Sequence, residues 1–452
     1  MVTLHSPAGP NASSGRTTTP LLVILYLFAV VLPIYVHAGP LLLSALRVLL
    51  LLTILPLMAK LLMGRYGRLM LPDIFFVLHT LWMIVALAYN NPDRVIQQTG
   101  SVGVEFIGGY IISRACIRDR ESFLGMVKWL STIIILLLPF SLLEARTGNP
   151  TLINLIRSLP GVGSVAVVYA EPRFGIERVQ STFAHPIHFG LLCSVAFSLT
   201  FVSMKSIWSR AKNIFISGIV FCSGLLALSS GAFLALILQI GLILWNWALR
   251  RLHWRWWLLV GLFATLYVAI DLLSTRTPIR VFMTYATFSP HTAYWRSIIF
   301  EWGMINVWDN PIFGIGLNDW VRPSYMVSGS MDNFWLVLAV RYGIPGMMVL
   351  TIGFLAGLFR VMAVSLKGDE QLINIRRAWV FTMVGLSFTL ATVHIWTNIY
   401  SFVFFIFGAG MWLLSADPNT NSASDDDTTG TDMPPKRPEN RYTRFPPKTS
   451  TK

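Results

Sequence analysis

Apolar positions run along this chain in long blocks, and polar positions cluster between them. Mainly apolar runs of about 17 to 23 residues, enough to cross the hydrocarbon core of a bilayer, lie near 40–62, 74–90, 101–117, 122–143, 186–204, 213–229, 231–249, 256–273, 333–356, 378–394 and 397–415. With a first run from Leu21 to Val36 they predict about twelve transmembrane helices. The first run has the features of a signal peptide, because Val36-His37-Ala38 resembles a small-residue cleavage site, but its basic flank is thin and an uncleaved first helix is the preferred reading.

Basic residues mark every second connection: Lys60, Arg65 and Arg68; Arg114, Arg118, Arg120 and Lys128; Lys205, Arg210 and Lys212; Arg250, Arg251 and Arg255; Arg360, Lys367, Arg376 and Arg377. The positive-inside rule assigns these to the cytoplasm, and both termini with them. The same parity leaves two long connections outside, about 144–185 and 274–332, the second between the ninth and tenth helices. Links of that length usually carry function. The first holds Leu152–Leu159, apolar at helical spacing. The second holds an amphipathic run in which Tyr294, Trp295, Ile298, Ile299, Trp302, Ile305 and Trp308 surround Arg296 and Glu301; both runs predict interfacial helices. The fold class is an all-α integral membrane protein, with a polytopic domain over 21–415. Residues 1–20 form a polar arm and 416–452 a tail containing Asp425-Asp426-Asp427, and both are expected to lack a packed core.

Composition agrees with the pattern: of 452 residues, 54% are hydrophobic and 12% charged, and the mean hydropathy is +0.62. The net charge of +14 is first a topology signal in such a chain, so no nucleic-acid partner is expected. Cys116, Cys193 and Cys222 lie in or beside apolar runs and suggest neither a disulfide framework nor a metal cluster.

No phosphate-binding loop, zinc-protease motif, serine elbow or paired-aspartate metal motif is present. What the outward segments hold is an excess of arginine: Arg173, Arg178, Arg276, Arg280, Arg296 and Arg322, with Arg341 inside the tenth helix. A guanidinium is a forked, permanently charged donor suited to phosphate or carboxylate. Any one of them could pair with Glu171, Glu177, Asp271, Glu301 or Asp319, whereas the set suits an anionic ligand. His185 and His188 stand where the chain enters a helix at Pro186, as a base, a hydrogen-bonding partner for sugar, or interfacial polar residues. Two readings stay open for Asp332 beside Asn333: a base strengthened by burial against Met331, Phe334 and Trp335, or a helix cap. Pro311–Trp320 is a turn in which Gly314 and Gly316 permit close backbone approach.

Three stretches carry a resemblance to a known family. Arg178 followed by Ser-Thr-Phe-Ala-His-Pro-Ile-His-Phe-Gly, the Arg296 helix followed by Asp-Asn-Pro-Ile-Phe-Gly-Ile-Gly, and the segment from Asp332-Asn333 to Tyr342-Gly343-Ile344-Pro345-Gly346 together resemble the O-antigen ligase and polysaccharide polymerase superfamily. The match covers roughly Arg178 to Met348. Two departures stand out: the family's Ser-Arg-Gly hairpin reads Ser229-Ser230-Gly231 here, with Arg276 or Arg280 as substitutes for the missing arginine, and Asp332 stands where ligases tend to have His. Both favour an exopolysaccharide or O-antigen polymerase over a lipopolysaccharide ligase.

The resemblance implies glycosyl transfer on the periplasmic face of a bacterial inner membrane, from a polyprenyl-diphosphate-linked oligosaccharide to a glycan acceptor, without metal or other cofactor. Export components and membrane lipid are the further partners expected. On this reading Arg178, Arg296, Arg280 and Arg276 hold the diphosphate, Asp332 or His185 activates the acceptor, and His188, Glu301, Asn333 and Trp320 contact sugar. A ligase acting on a lipid or protein acceptor is one alternative. A flippase that moves the lipid-linked glycan without bond chemistry is another, although no internal repeat supports it.

Overall fold

In a computed structural model the described residues are 19–38, 41–169, 171–275, 278, 281 and 290–416. Nearly all of the expected arm and tail, and both Arg276 and Arg280, lie outside them. Those up to Ala416 form one compact, all-helical unit apart from a single two-stranded ribbon.

Helix α1 (Leu21–Val31) is shorter than its apolar run predicts. Pro33 cannot supply the amide that would continue the helix and disfavours helical backbone just before it. The chain leaves instead as strand β1 (Tyr35–Ala38), pairs antiparallel with β2 (Leu41–Ser44), and only then enters α2 (Ala45–Leu62) through an N-cap on Ser44. At 1.5 Å per residue an 11-residue helix reaches about 16 Å, short of a hydrocarbon core.

The remaining elements follow the apolar blocks closely: α3 (Leu71–Asn90), α4 (Val104–Cys116), α5 (Arg120–Thr147), α6 (Thr151–Arg157), α7 (Pro186–Ser203), α8 (Arg210–Leu226), α9 (Ser230–Ala248), α10 (Arg255–Leu273), α11 (Pro290–Asp309), α12 (Phe334–Ala363), α13 (Glu370–Leu390) and α14 (Thr397–Gly408). A helix lies under each predicted span, and α6 and α11 fall on the two amphipathic loop segments. Among the described residues eight helices are long and apolar enough to cross a membrane. α1, α4, α8 and α13 fall outside that set. Outward side chains such as Leu52, Leu55, Trp247 and Trp257 are largely exposed, and α10 buries none of its residues, as expected of surfaces that face lipid.

The core lies where α3 packs on α12, α4 on α14 and α2, and α7 on α8 and α13. A ladder of Phe76, Phe106, Phe404 and Phe407 fills it with edge-on and tilted ring contacts. Two charged pairs cross this apolar interior. Arg47 Nε donates to Glu105 Oε1 at 2.8 Å, and Arg114 Nε lies 3.5 Å from Asp73 Oδ1, which also accepts the Tyr110 hydroxyl.

Candidate functional site

The motif segments of the sequence become partners in space. α12 breaks at Gly343, whose φ of 72° only glycine adopts without strain. Pro345 has no amide for the Arg341 carbonyl, and the Ile344 amide turns away to the Pro311 carbonyl at 2.8 Å. The two carbonyls left without helical donors, on Val340 and Arg341, are taken by the amides of Ile315 and Gly316 at 2.8 and 3.0 Å. The Trp82 indole donates to the Tyr342 carbonyl and His79 Nδ1 to that of Gly346, each at 2.8 Å. So the Pro-x-x-Gly-x-Gly turn is the plug for the Tyr-Gly-Ile-Pro-Gly break, and the freed backbone groups of an apolar helix are satisfied. A Cβ on Gly314 would sit 2.4 Å from the Val340 carbonyl oxygen, so the docking requires glycine.

The plug fixes the segment that follows it. Trp320 is buried, donates its indole proton to the Gly329 carbonyl at 3.0 Å and packs with Met326 and Met331. These contacts tie the indole into the loop. At the end of the loop the cap of α12 is Asn333, which accepts the Leu336 amide at 3.0 Å. Asp332 is therefore not the cap: it accepts a hydrogen bond from Ser330 at 3.1 Å and its charge acts on Arg296.

Arg296, on α11, is 6% exposed. Its Nη2 lies 3.4 Å from the hydroxyl of Ser230, while Nε and Nη1 are buried with no hydrogen-bond partner among the described residues. Burial lowers its pKa, with the Asp332 charge opposing and Arg173 adding to the shift. Ser230 opens α9 at the hairpin where the arginine of the resembled pattern is absent, and two guanidiniums from elsewhere converge on it. Besides Arg296, Arg173 donates from Nη1 to the Leu228 carbonyl at 2.7 Å.

Arg178 is half-buried, its Nε unpartnered, and its pKa is pushed down to about 10 by burial and by Arg173. Its segment is held in place by Glu144, at the end of α5, which accepts the amides of Gln180 and Ser181 at 2.7 and 3.0 Å. A cleft of about 330 Å³ opens beside Arg178, with Glu171, Glu177 and Tyr169 in its walls.

His185 caps α7, its Nδ1 accepting the Ile187 amide at 3.1 Å. That bond leaves the proton of the neutral ring on Nε2. Burial and the nearby Arg178 push its pKa down to about 4, so at neutral pH the ring is neutral and its Nε2 is a hydrogen-bond donor. One turn on, His188 is fully buried with neither ring nitrogen partnered. Its ring lies 4.1 Å from Trp396 and 6.5 Å from His185. His394, in the link between α13 and α14, stacks on Phe334, has an unpartnered Nδ1, and has a pKa pushed to about 3 by burial and Arg341. The sequence reading passed over His394 and Trp396. They lie where one apolar run ends and before the next begins, and the signal was a histidine and an indole at that junction.

The structure therefore brings Arg173, Arg178, His185, His188, Arg296, Asp332, His394 and Trp396 to one end of the bundle. Glu301 is exposed on α11, Asn333 is occupied as a cap, and Arg276 and Arg280 lie outside the described residues. Strain gathers in the same place. Among the described residues, four other than glycine have positive φ, Phe174, Ser181, Leu228 and Thr397, and every one lies on a segment that carries or binds a site residue. Such backbone costs about 1–2 kcal/mol each and persists where the surroundings enforce it. Among the described residues no group of three His, Cys, Asp or Glu side chains is placed to hold a metal ion.

Residues 215–351, from within α8 to the middle of α12, match the family model described as O-antigen ligase, Wzy_C. No curated protein matches the chain. The match covers the hairpin at Ser230, the Arg296 helix, the plug, and Asp332.

Proposed function

We propose that this chain, whose family match supports membership of the O-antigen ligase and Wzy-like superfamily, is a multi-pass membrane glycosyltransferase that polymerises a surface polysaccharide. The donor is an oligosaccharide on a polyprenyl diphosphate and the acceptor a growing glycan, met on the periplasmic face of the inner membrane. One observation carries the reading: Arg296 is buried beside Ser230 with two of its three nitrogens unpartnered, within the field of Asp332 and alongside Arg173. A buried cation without a protein partner is costly unless a ligand supplies the anion.

In this mechanism Asp332 takes the proton of the acceptor hydroxyl as its oxygen bonds to the anomeric carbon. The bond from that carbon to the diphosphate oxygen breaks, and the electron pair leaves with the lipid diphosphate. Arg296, Arg178 and Arg173 hold the charge that develops there. Fixed cations in a desolvated pocket are more effective than water at this, because they need no reorientation as the charge appears. His185 donates from Nε2 to a phosphate or sugar oxygen, and no metal is required. The cleft that shares Arg178 offers Glu171 and Glu177 to sugar hydroxyls.

The test is transfer of labelled lipid-linked repeat units by the purified protein, with wild type, Arg178→Ala, Arg296→Ala and Asp332→Asn compared. Loss of polymer with donor binding retained in Asp332→Asn is expected; undiminished polymer in all three variants would discard the proposal. Ligation is the second reading, favoured by the description of the matching family, and single-step transfer to a lipid acceptor without chain growth would select it. Donor that crosses the bilayer with no bond broken would select a flippase.

A further inference from the structure

At the end of α12 remote from Asp332 lies a cavity of about 730 Å³, within the range of small-molecule sites, whose walls hold four arginines and no carboxylate. Arg114 forms its inner wall. It is 3% exposed, donates to the carbonyls of Tyr66 and Arg68 at 2.9 and 3.1 Å, and has its charge offset by Asp73. Arg114 is thus spent on shaping the loop between α2 and α3. The other three, Arg68, Arg118 and Arg360, are exposed, and none forms a salt bridge among the described residues. Arg118 lies over the ring of Tyr66, 5.7 Å from its centroid, which sets the direction of that guanidinium. The remaining wall is apolar, with Trp412, Leu69 and Leu414.

Three unoffset guanidiniums over an apolar wall, at one end of helices that cross a membrane, match a molecule with a phosphate head and a hydrocarbon body. We propose that this cavity is a binding site for the phosphate headgroup of an anionic membrane lipid, held by Arg68, Arg118 and Arg360. Arginine suits the task because its fork can engage two phosphate oxygens at once. Lipid is favoured over a free anion because the apolar wall gives the glycerol and first methylenes a surface that inorganic phosphate would leave empty. The site is separate from the glycosyl-transfer reading and does not depend on it.

The experiment uses the full chain in a neutral detergent, freed of native lipid. It is then exposed to phosphatidylglycerol, to phosphatidylcholine, or to inorganic phosphate, and bound lipid is counted by native mass spectrometry with the melting temperature followed in parallel. Wild type is expected to retain phosphatidylglycerol over phosphatidylcholine and to melt higher with it. Each of Arg68→Ala, Arg118→Ala and Arg360→Ala should weaken retention about fivefold, the effect of one basic residue near a charged membrane surface. All three side chains are exposed, so the variants should fold, and unchanged glycan transfer or an unchanged melting temperature without lipid verifies it. Stabilisation by inorganic phosphate alone, lost in the same variants, would support the site with free phosphate as occupant. Equal retention of both lipids by wild type, or retention of phosphatidylglycerol undiminished in the Arg118→Ala, Arg360→Ala double variant, would overturn it.

Discussion

Two arginines of this chain, Arg47 half-buried and Arg296 buried, behave in opposite ways. Arg47 reaches from the edge of the apolar interior to Glu105, which lies directly against its Nε, and its Nη1 donates to the Leu42 main-chain carbonyl at 2.9 Å. Arg296 is buried, yet among the described residues two of its nitrogens have no partner and the third meets a serine hydroxyl at 3.4 Å. In the first pair the charge of the arginine is offset by a carboxylate of the same protein at hydrogen-bond distance. The second leaves charge and donors open, at the place where strained backbone and unpartnered imidazoles collect. Burial with a partner indicates architecture; burial without one indicates a ligand.

The comparison can be broken most directly at Arg296. Arg296→Ala should lower glycan transfer by about 10²–10³, the loss seen when a preorganised charge-stabilising donor is removed. Arg296→Lys should recover only part of it, because an ammonium cannot offer a fork. The sharper outcome concerns stability. Replacing an unpaired buried cation by an apolar residue relieves a desolvation cost, so Arg296→Leu should leave the melting temperature unchanged or raise it. A large drop in the melting temperature of Arg296→Leu would show that Arg296 is structural and end the contrast.

At Arg47 the signs reverse. Arg47→Leu strands Glu105 in the apolar interior and should cost roughly 3–5 kcal/mol, with transfer falling only as folded protein is lost. The Arg47→Leu, Glu105→Leu double variant should be more stable than either single change, since removing both charges removes both desolvation costs. Thermal unfolding of the four proteins in one detergent measures this.

Gly343 is expected to give a smaller effect than either. An alanine there is placed in left-handed backbone, costing about 1–2 kcal/mol, and its Cβ would meet the Ile312 carbonyl at 1.9 Å. The plug should loosen rather than the bundle unfold, so transfer should fall about tenfold, the order expected when reacting groups are mispositioned rather than removed. Gly314→Ala should act the same way, and the two together should cost less than the sum, because both changes undo one contact.

Much of this architecture could be read from the chain. The apolar blocks located a helix under every predicted span, and Pro186 and Gly314 marked a helix start and a turn for local steric reasons, whereas the break at Gly343 lies inside a run read as one helix, 333–356. Boundaries at the level of one residue could not be read: Asp332 and Asn333 are both good caps, and only the Leu336 amide decides between them. The run to Val36 failed as one helix because hydropathy does not register what Pro33 and the strand-forming Tyr35-Val36 do to the backbone. The site itself was half legible. Arg178, His185 and Arg296 were noticeable as charges in outward loops, but that Arg296 reaches the Ser230 hairpin depends on helix packing over a separation of 66 residues. His394 and Trp396 were hidden for a related reason: they join the site only because α13 packs against α7 and α9, and no local pattern encodes that.

The smallest effect is a pH dependence, and it separates the two regions once more. His185 and His394, both outside the spanning segments, have pKa values lowered to about 4 and about 3 by burial, with Arg178 and Arg341 adding to the shift. In the unfolded chain both would titrate near 6.5. Above that value neither state is protonated at these positions and they contribute no pH dependence. As pH falls below about 6.5 the unfolded chain binds protons that the folded chain refuses, so stability declines until the folded groups titrate near 4 and 3. Their contribution to the melting temperature should therefore be flat between pH 8 and 7 and fall steadily from about pH 6.5 to about pH 4. His185→Asn, which keeps a cap acceptor for the Ile187 amide, should flatten part of that decline. Transfer should show no histidine titration between pH 6 and 8, because His185 acts there as a neutral donor. A transfer rate with an inflection near pH 6.5 that disappears in His185→Asn would mean that the ring is solvated and ordinary in the working protein, and the desolvated character of the site would have to be abandoned.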